Sequence, residues 1–225
     1  MQQANIENDN EGAIMQLWSD SFKNDGAIPA KFAFCKMDPK AHVALSDNKN
    51  PHLGWRDLPP GVKSLALICH DSDAPSRGED VNQLEREIPA DLPRVDFFHW
   101  TLVDLPPDML AIAEGEFCDG VRARGKPGPE TLRGARQGIN DYTNWFASDQ
   151  DMSGDYYGYD GPCPPWNDSI VHRYTFTLYA LDLAHVPVEG AFTAQQALAA
   201  MAGHILAQAS ISGSYTLSPQ LAPQN

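Results

Sequence analysis

The run from His172 to Asp182 constrains this chain more than any other segment. Tyr174, Phe176, Leu178 and Ala180 fall on one side of an extended chain, and Arg173, Thr175, Thr177 and Tyr179 on the other. That period of two fits a β-strand and no helix. Two further apolar runs support the same reading. Val62 to His70 follows the turn signal Pro59-Pro60-Gly61 and is short enough for a buried strand. Phe97 to Asp104 stops before Pro106-Pro107 and carries bulky residues on both faces, as a strand does in a sheet covered on each side. Lys31 to Cys35, with its rings on one face, and the alternation Ile211, Gly213, Tyr215, Leu217 add two more expected strands. One helix stands out. Thr193-Ala194-Gln195-Gln196 fits a capping box, and Leu198, Met201, Ala202, Ile205 and Ala209 follow it as a single buried stripe. Many short strands, few helices and no strand–helix alternation predict a mainly β fold. Its form is two packed antiparallel sheets, a β-sandwich, with a C-terminal helix and short peripheral helices.

Residues 1–14 read as a polar tail and 15–220 as a single domain. Its long irregular stretches, roughly 74–94 and 107–165, are rich in Gly, Pro, Asp and Arg, and loops of that length are usually functional or family-specific additions. The 225 residues are 42% hydrophobic and carry a formal net charge of −14, so a buried core is expected and disorder is not. That charge repels phosphate polyanions, and nucleic acids and anionic bilayers are bound chiefly through Lys and Arg, so neither is an expected partner. The acidic start of the chain lacks the basic and apolar regions of a secretory signal, and no apolar stretch nears the ~20 residues that span a bilayer. Cytoplasmic residence without stable membrane insertion is expected. Cys35, Cys69, Cys118 and Cys163 are far apart with no C-x-x-C pair, and read as four buried thiols in a reducing compartment.

Three local groups can carry chemistry. In Asp71-Ser72-Asp73-Ala74-Pro75 the two carboxylates lie two positions apart, which in an extended chain turns them to one face; the plainer alternative is an Asp-capped turn. His99 sits inside the strand Phe97 to Asp104, where a satisfied core histidine is the commoner case. His172 and Tyr174 share a face, while Arg173 on the other side should find a different partner, such as a carboxylate. Before them, Gly161-Pro162-Cys163-Pro164-Pro165 is nearly fixed by its prolines. Together these residues suggest a small polar pocket able to hydrogen-bond an anion if a carboxylate is protonated or a histidine charged. Asp and His also suit divalent metals, but no H-E-x-x-H or similar motif is present, and no metal or other cofactor is expected. G-x-S-x-G, G-x-x-x-x-G-K-[ST] and G-x-G-x-x-G are likewise absent, so an enzyme is not expected.

These groups, in this order, resemble the phosphatidylethanolamine-binding proteins, in particular their bacterial Raf-kinase-inhibitor-like branch. Asp71 to Pro75 looks like the family signature D-P-D-A-P, Phe98-His99-Trp100 like its strand histidine, and Gly158 to Pro165 with His172-Arg173-Tyr174 like its second signature. Gly134 to Asp141 and Ala200 to Ala207 are similar to further segments of that branch, so the resemblance spans roughly residues 16–218. It implies a two-sheet fold, frequent homodimers, and a pocket for phosphate-like anions or phospholipid headgroups formed by Asp71, Asp73, His99, His172 and Tyr174, with Pro162 or Pro165 in its wall. Regulation of kinases does not follow from membership alone. Three departures stand out: Ser72 replaces the usual proline, Trp166 places an indole near the expected rim, and segments near 76–96 and 142–157 look like insertions that either cover the pocket or form a partner surface. The leading expectation is a non-enzymatic binding protein for a phosphate-like or zwitterionic ligand. A protein–protein interaction module built on the insertions is the alternative, and a hydrolase using His99 or His172 with an Asp is a weaker one.

Overall fold

The computed structural model describes residues 14–222. Among them are the strands β1 (Gln16–Trp18), β2 (Gly26–Ala27), β3 (Cys35–Asp38), β4 (His42–Leu45), β5 (Leu53–Arg56), β6 (Ser64–Pro75), β7 (Arg94–Leu105), β8 (Ala111–Ile112), β9 (Arg136–Gln137), β10 (His172–Leu181) and β11 (Ile205–Tyr215), with the helices α1 (Tyr142–Trp145) and α2 (Ala194–Met201). Six strands form one large sheet in the order β2-β11-β10-β6-β7-β9, antiparallel except for the short parallel pair of β11 with β2. A smaller sheet, β1-β5-β8, packs across the main core, where Leu53, Trp55 and Ile112 meet Leu65, Leu67, Trp100 and Phe176. The mainly β, two-layer expectation holds, and β3 and β4 add a separate hairpin beside it.

The alternation of β10 explains its central place. Tyr174, Phe176, Leu178 and Ala180 turn into the core, while Thr175 and Thr177 hydrogen-bond across to Ser212 and Ser210 of β11. The opposite face of β6 and β7 is closed by α2, with Ala66, Ile68 and Val103 against Phe192, Ala197 and Met201. The capping box at α2 is present, with Thr193 Oγ1 accepting from the Gln196 N–H and Gln196 Oε1 accepting from the Thr193 N–H.

Three expectations need correction. The helical stripe does not reach Ile205 and Ala209: α2 stops at Met201, Gly203 turns the chain at φ +83°, and both residues lie on β11. A left-handed glycine ends a helix cheaply, and the two-residue period then takes over. Lys31 to Cys35 is not one strand, because Pro29 leads into a 3-10 turn at Ala30–Phe32, and Phe32 and Phe34 enter different clusters. The cysteines are not four thiols. Cys35 and Cys163, 128 positions apart, form a disulfide with a Cα separation of 4.9 Å, while Cys69 and Cys118 are free and buried. No spacing rule reveals a bridge over that distance, since only folding brings β3 to the proline segment.

Candidate functional site

At one end of the large sheet, where β6, β7 and β10 run out of the core, lies a cavity of about 490 Å³. Asp71, His99, His172 and Tyr174 line it, each at least 97% buried, and Pro165 belongs to its wall beside Cys163 and Pro164. Asp73 and Pro162 do not line it. The sheet register shifts between Asp71 and Ala74, which turns the Asp73 carboxylate to the Arg173 backbone N–H at 2.8 Å, so the two carboxylates do not share a face. The Pro162 carbonyl instead accepts from the N–H groups of Phe34 and Cys35. Arg173 points the other way and pairs with Asp25 at 2.9 Å.

Four charged groups run from the sheet edge to the cavity. Arg94 grips both oxygens of Asp168 at 2.6 and 3.0 Å, Asp168 accepts from His172 Nε2 at 3.0 Å, and Asp71 meets His172 Nδ1 at 2.7 Å. Burial alone would make the imidazole neutral, but the bonds to Asp168 and Asp71 win and raise its pKa to about 9. His172 is therefore an imidazolium at neutral pH, with both N–H groups spent on carboxylates. Burial also opposes the charged form of Asp168, and the bonds from His172 and Arg94 outweigh it, holding the carboxyl below its ordinary pKa.

His99 takes the opposite state. Burial lowers its pKa more than the charge of Asp71 and the Asp160 carbonyl raise it, so the ring is neutral. Its Nδ1 lies 2.7 Å from the Asp160 carbonyl oxygen, which can only accept, so the proton sits on Nδ1 and Nε2 keeps a lone pair. The Tyr174 hydroxyl is buried and makes no hydrogen bond of good geometry among the described residues, and burial together with the charge and the nearby carboxylate of Asp71 pushes its pKa up. The floor thus presents acceptors and one uncommitted hydroxyl, and no free cationic donor.

The rest of the lining is mostly apolar. Phe34, Phe97, Tyr142, Trp145 and Phe146 contribute rings, with Ala74, Pro75, Val81 and Val95 beside them. The segments flagged as insertions wall the cavity: Ser76, Arg77, Gly78, Val81 and Asn82 come from the first, and Tyr142, Trp145, Phe146 and Met152 from the second. Trp166 is not at this rim. It stacks on His42 at 4.1 Å and lines a separate recess of about 240 Å³ with Arg86 and Asp168. Ser72 is exposed and makes no side-chain hydrogen bond among the described residues.

A second buried ionic cluster supports the floor from behind. Asp160 is fully buried, accepts from the side-chain amides of Asn48 and Asn140 at 2.8 Å each and forms an ion pair with Lys126 at 2.7 Å, while its backbone carbonyl holds His99. Sequence reasoning missed Arg94, Asp160 and Asp168 as site residues. Each finds its partners through the fold, Arg94 and Asp168 being 74 positions apart. The available signal was chemical: a buried histidine between carboxylates demands further charge partners, though not at a predictable position.

Comparison with known proteins matches the chain to a family. The sequence profile described as Phosphatidylethanolamine-binding protein covers residues 18–216. A UPF0098 protein of Methanothermobacter thermautotrophicus is 34% identical over 89% of this chain and 98% of its own length, and the UPF0098 protein YbhB of Escherichia coli is 30% identical over 90% of this chain and 100% of its own. Among solved structures, a phosphatidylethanolamine-binding protein homologue from Chlamydia trachomatis superimposes with a TM-score of 0.61 at 29% identity, covering 90% of this chain and 97% of that one. Escherichia coli YbcL, at 24% identity and a TM-score of 0.64, covers 91% of this chain and 99% of its own and shares the fold. The chain belongs to the phosphatidylethanolamine-binding protein family.

Proposed function

We propose that the chain is a non-enzymatic binding protein whose cavity takes a small zwitterionic or phosphate-bearing amphiphile. One observation carries this reading: a mostly apolar cavity of about 490 Å³ ends on a floor where the buried Tyr174 hydroxyl makes no good hydrogen bond among the described residues and His99 Nε2 keeps a lone pair. A buried polar atom without a partner costs stability, and such atoms persist where a ligand completes them. The floor does not suit a bare phosphate held by histidine donors, since His172 spends both N–H groups internally and His99 offers a lone pair. An anionic end instead belongs at the mouth, where Arg77 is exposed and free of ion pairs among the described residues. The segments 76–96 and 142–157 line the cavity, which supports the ligand reading over a separate protein-docking surface.

Calorimetric titration with phosphoethanolamine and with inorganic phosphate tests the proposal. Phosphoethanolamine should give saturable heat that Tyr174→Phe or Asp71→Asn weakens tenfold or more, the size of a lost hydrogen bond to a charged group, ~1.5–3 kcal/mol. Absence of heat from both compounds, or heat unchanged in both variants, would sink it. Turnover of a phosphoester would favour the hydrolase reading instead.

Cytoplasmic residence and homodimer formation belong with these proposals. The net charge of −14 supports the exclusion of nucleic acid, and among the described residues no helix is long and apolar enough to cross a membrane. The Cys35–Cys163 disulfide pulls against the cytoplasm, where thiols are kept reduced. Alkylation in freshly lysed cells decides it: two reactive thiols after denaturation mean an oxidising compartment, four a reducing one.

A further inference from the structure

The Cys35–Cys163 disulfide stands in the cavity wall. Both residues line the cavity, with Leu45 of β4 and with Pro164 and Pro165 beside them, and Cys163 is only half-buried. A small reagent entering the cavity therefore has Cys163 within reach. The two sides of the bridge are anchored unequally. On one side the proline segment is fixed, its backbone restricted by Pro162, Pro164 and Pro165 and its Gly161 N–H donating to Asn48 Oδ1 at 2.8 Å. On the other side β3 and β4 pair with each other outside both larger sheets, and no residue from Lys36 to Asp47 is buried. The attachments of this hairpin gather at its base. There Phe34 and Cys35 donate to the Pro162 carbonyl, the Tyr215 hydroxyl donates to the Cys35 carbonyl, and the Ser46 N–H donates to the Phe34 carbonyl. Farther out, Val43 packs shallowly and His42 rests on Trp166. Cys69 and Cys118 do not exchange with the bridge. Burial raises the pKa of each, that of Cys118 to about 11, so neither supplies a thiolate at neutral pH.

We infer that Cys35–Cys163 is a reversible redox latch that holds the β3–β4 hairpin against the cavity as part of its wall. Its reductant is an external dithiol. One thiolate of that dithiol attacks Cys163 Sγ, the S–S bond breaks, and Cys35 leaves as a thiolate that takes up a proton. The second thiol of the reductant then displaces Cys163, so two electrons and two protons pass to the protein and the reductant becomes a disulfide. What remains at the hairpin is the set of hydrogen bonds at its base and its shallow packing, and the Leu45 side of the wall loosens. The consequence for a ligand rests on the binding role proposed above: an occupant is held while the bridge is closed and released when it opens.

Dithiothreitol added to the folded full chain, followed by alkylation and peptide mapping, reads the latch directly. Cys35 and Cys163 should label in native buffer, and Cys69 and Cys118 only after denaturation. Amide hydrogen exchange within residues 35–46 should quicken about tenfold or more on reduction while β6 and β10 change little, and an oxidised dithiol should reverse both effects. The double variant Cys35→Ser, Cys163→Ser should exchange like the reduced chain. Phosphoethanolamine should bind the reduced chain about fivefold or more weakly than the oxidised one, because a loosened wall is competent for only part of the time. Reduction that proceeds only on global unfolding, with all four cysteines labelling together, overturns the inference. So does exchange that stays unchanged at the hairpin or quickens evenly along the chain, and so does equal, measurable affinity for phosphoethanolamine in the two states. If phosphoethanolamine binds neither state while the hairpin alone loosens, the latch stands and the binding function fails.

Discussion

Two buried ionic clusters stand on either side of the cavity floor, and they put similar chemistry to different ends. Around Asp160 the charge is closed off: two asparagine amides and one lysine meet a carboxylate with no exposure, and nothing of it lines the cavity. Around His172 the charges form an open row, with Arg94 at one end and Asp71 on the cavity wall at the other. The first cluster positions His99 through a backbone carbonyl, and burial, outweighing that bond, keeps the ring neutral. The second keeps His172 charged. Neighbouring histidines of one sheet thus differ in protonation because burial prevails at His99, whereas at His172 the bonds to two carboxylates outweigh it.

The comparison breaks first at His172. His172→Gln removes the cation between Asp71 and Asp168 and should cost ~3–5 kcal/mol in urea unfolding, the loss typical of a buried charge left uncompensated. Lys126→Met strips Asp160 of one partner but leaves its two amides, so its cost should be smaller, about 1–3 kcal/mol. A larger loss at Lys126 than at His172 would reverse the assigned roles.

Alkaline pH should expose the same difference. The folded pKa of His172, about 9, lies above its unfolded value near 6.5, so its contribution is fully present below pH 6.5 and disappears as pH rises through 9. The loss amounts to about 3 kcal/mol across that window and should be missing in His172→Gln. Asp168 has the opposite sign. Its folded pKa is depressed, so its contribution is present above the unfolded value and fades as pH falls through the folded one. An unfolding free energy that stayed flat from pH 6.5 to 9.5 in the wild type would contradict a charged His172.

The smallest effect is the most telling about function. Tyr142 donates its hydroxyl to the Gly161 carbonyl at 2.8 Å, whereas the buried Tyr174 hydroxyl makes no hydrogen bond of good geometry among the described residues. Tyr142→Phe should therefore destabilise the fold by about 1 kcal/mol, while Tyr174→Phe should be neutral or slightly stabilising, within about 1 kcal/mol. A clear loss of stability in Tyr174→Phe, measured by the unfolding midpoint, would assign that hydroxyl to the fold rather than to a ligand.

Much of this architecture was readable one strand at a time. The two-residue period of 172–182, the apolar runs of 62–70 and 97–104 and the capping box at Thr193 are local patterns, and local patterns survive into the structure because each element must bury one face whatever it packs against. The ordered motifs likewise identified the family and brought Asp71, His99, His172 and Tyr174 to attention. The pattern failed where two periods overlapped: Ile205 and Ala209 fit a helical stripe as well as a strand, and the Gly203 turn decided between them. It also failed at Asp73, where a register shift in β6 broke the rule that alternate residues share a face.

Partner choice lies beyond any local pattern. Whether His172 is charged depends on Asp168 and Asp71, which His99 nitrogen carries the proton depends on the Asp160 carbonyl, and whether Cys35 is a thiol depends on Cys163. Sequence determines which groups are available to be buried, because composition and periodicity govern what each element hides. Protonation, pairing and the unsatisfied hydroxyl of Tyr174 are settled by tertiary structure, because the energy of a buried polar group is set by the few atoms within about 3 Å of it, and those atoms come from distant parts of the chain.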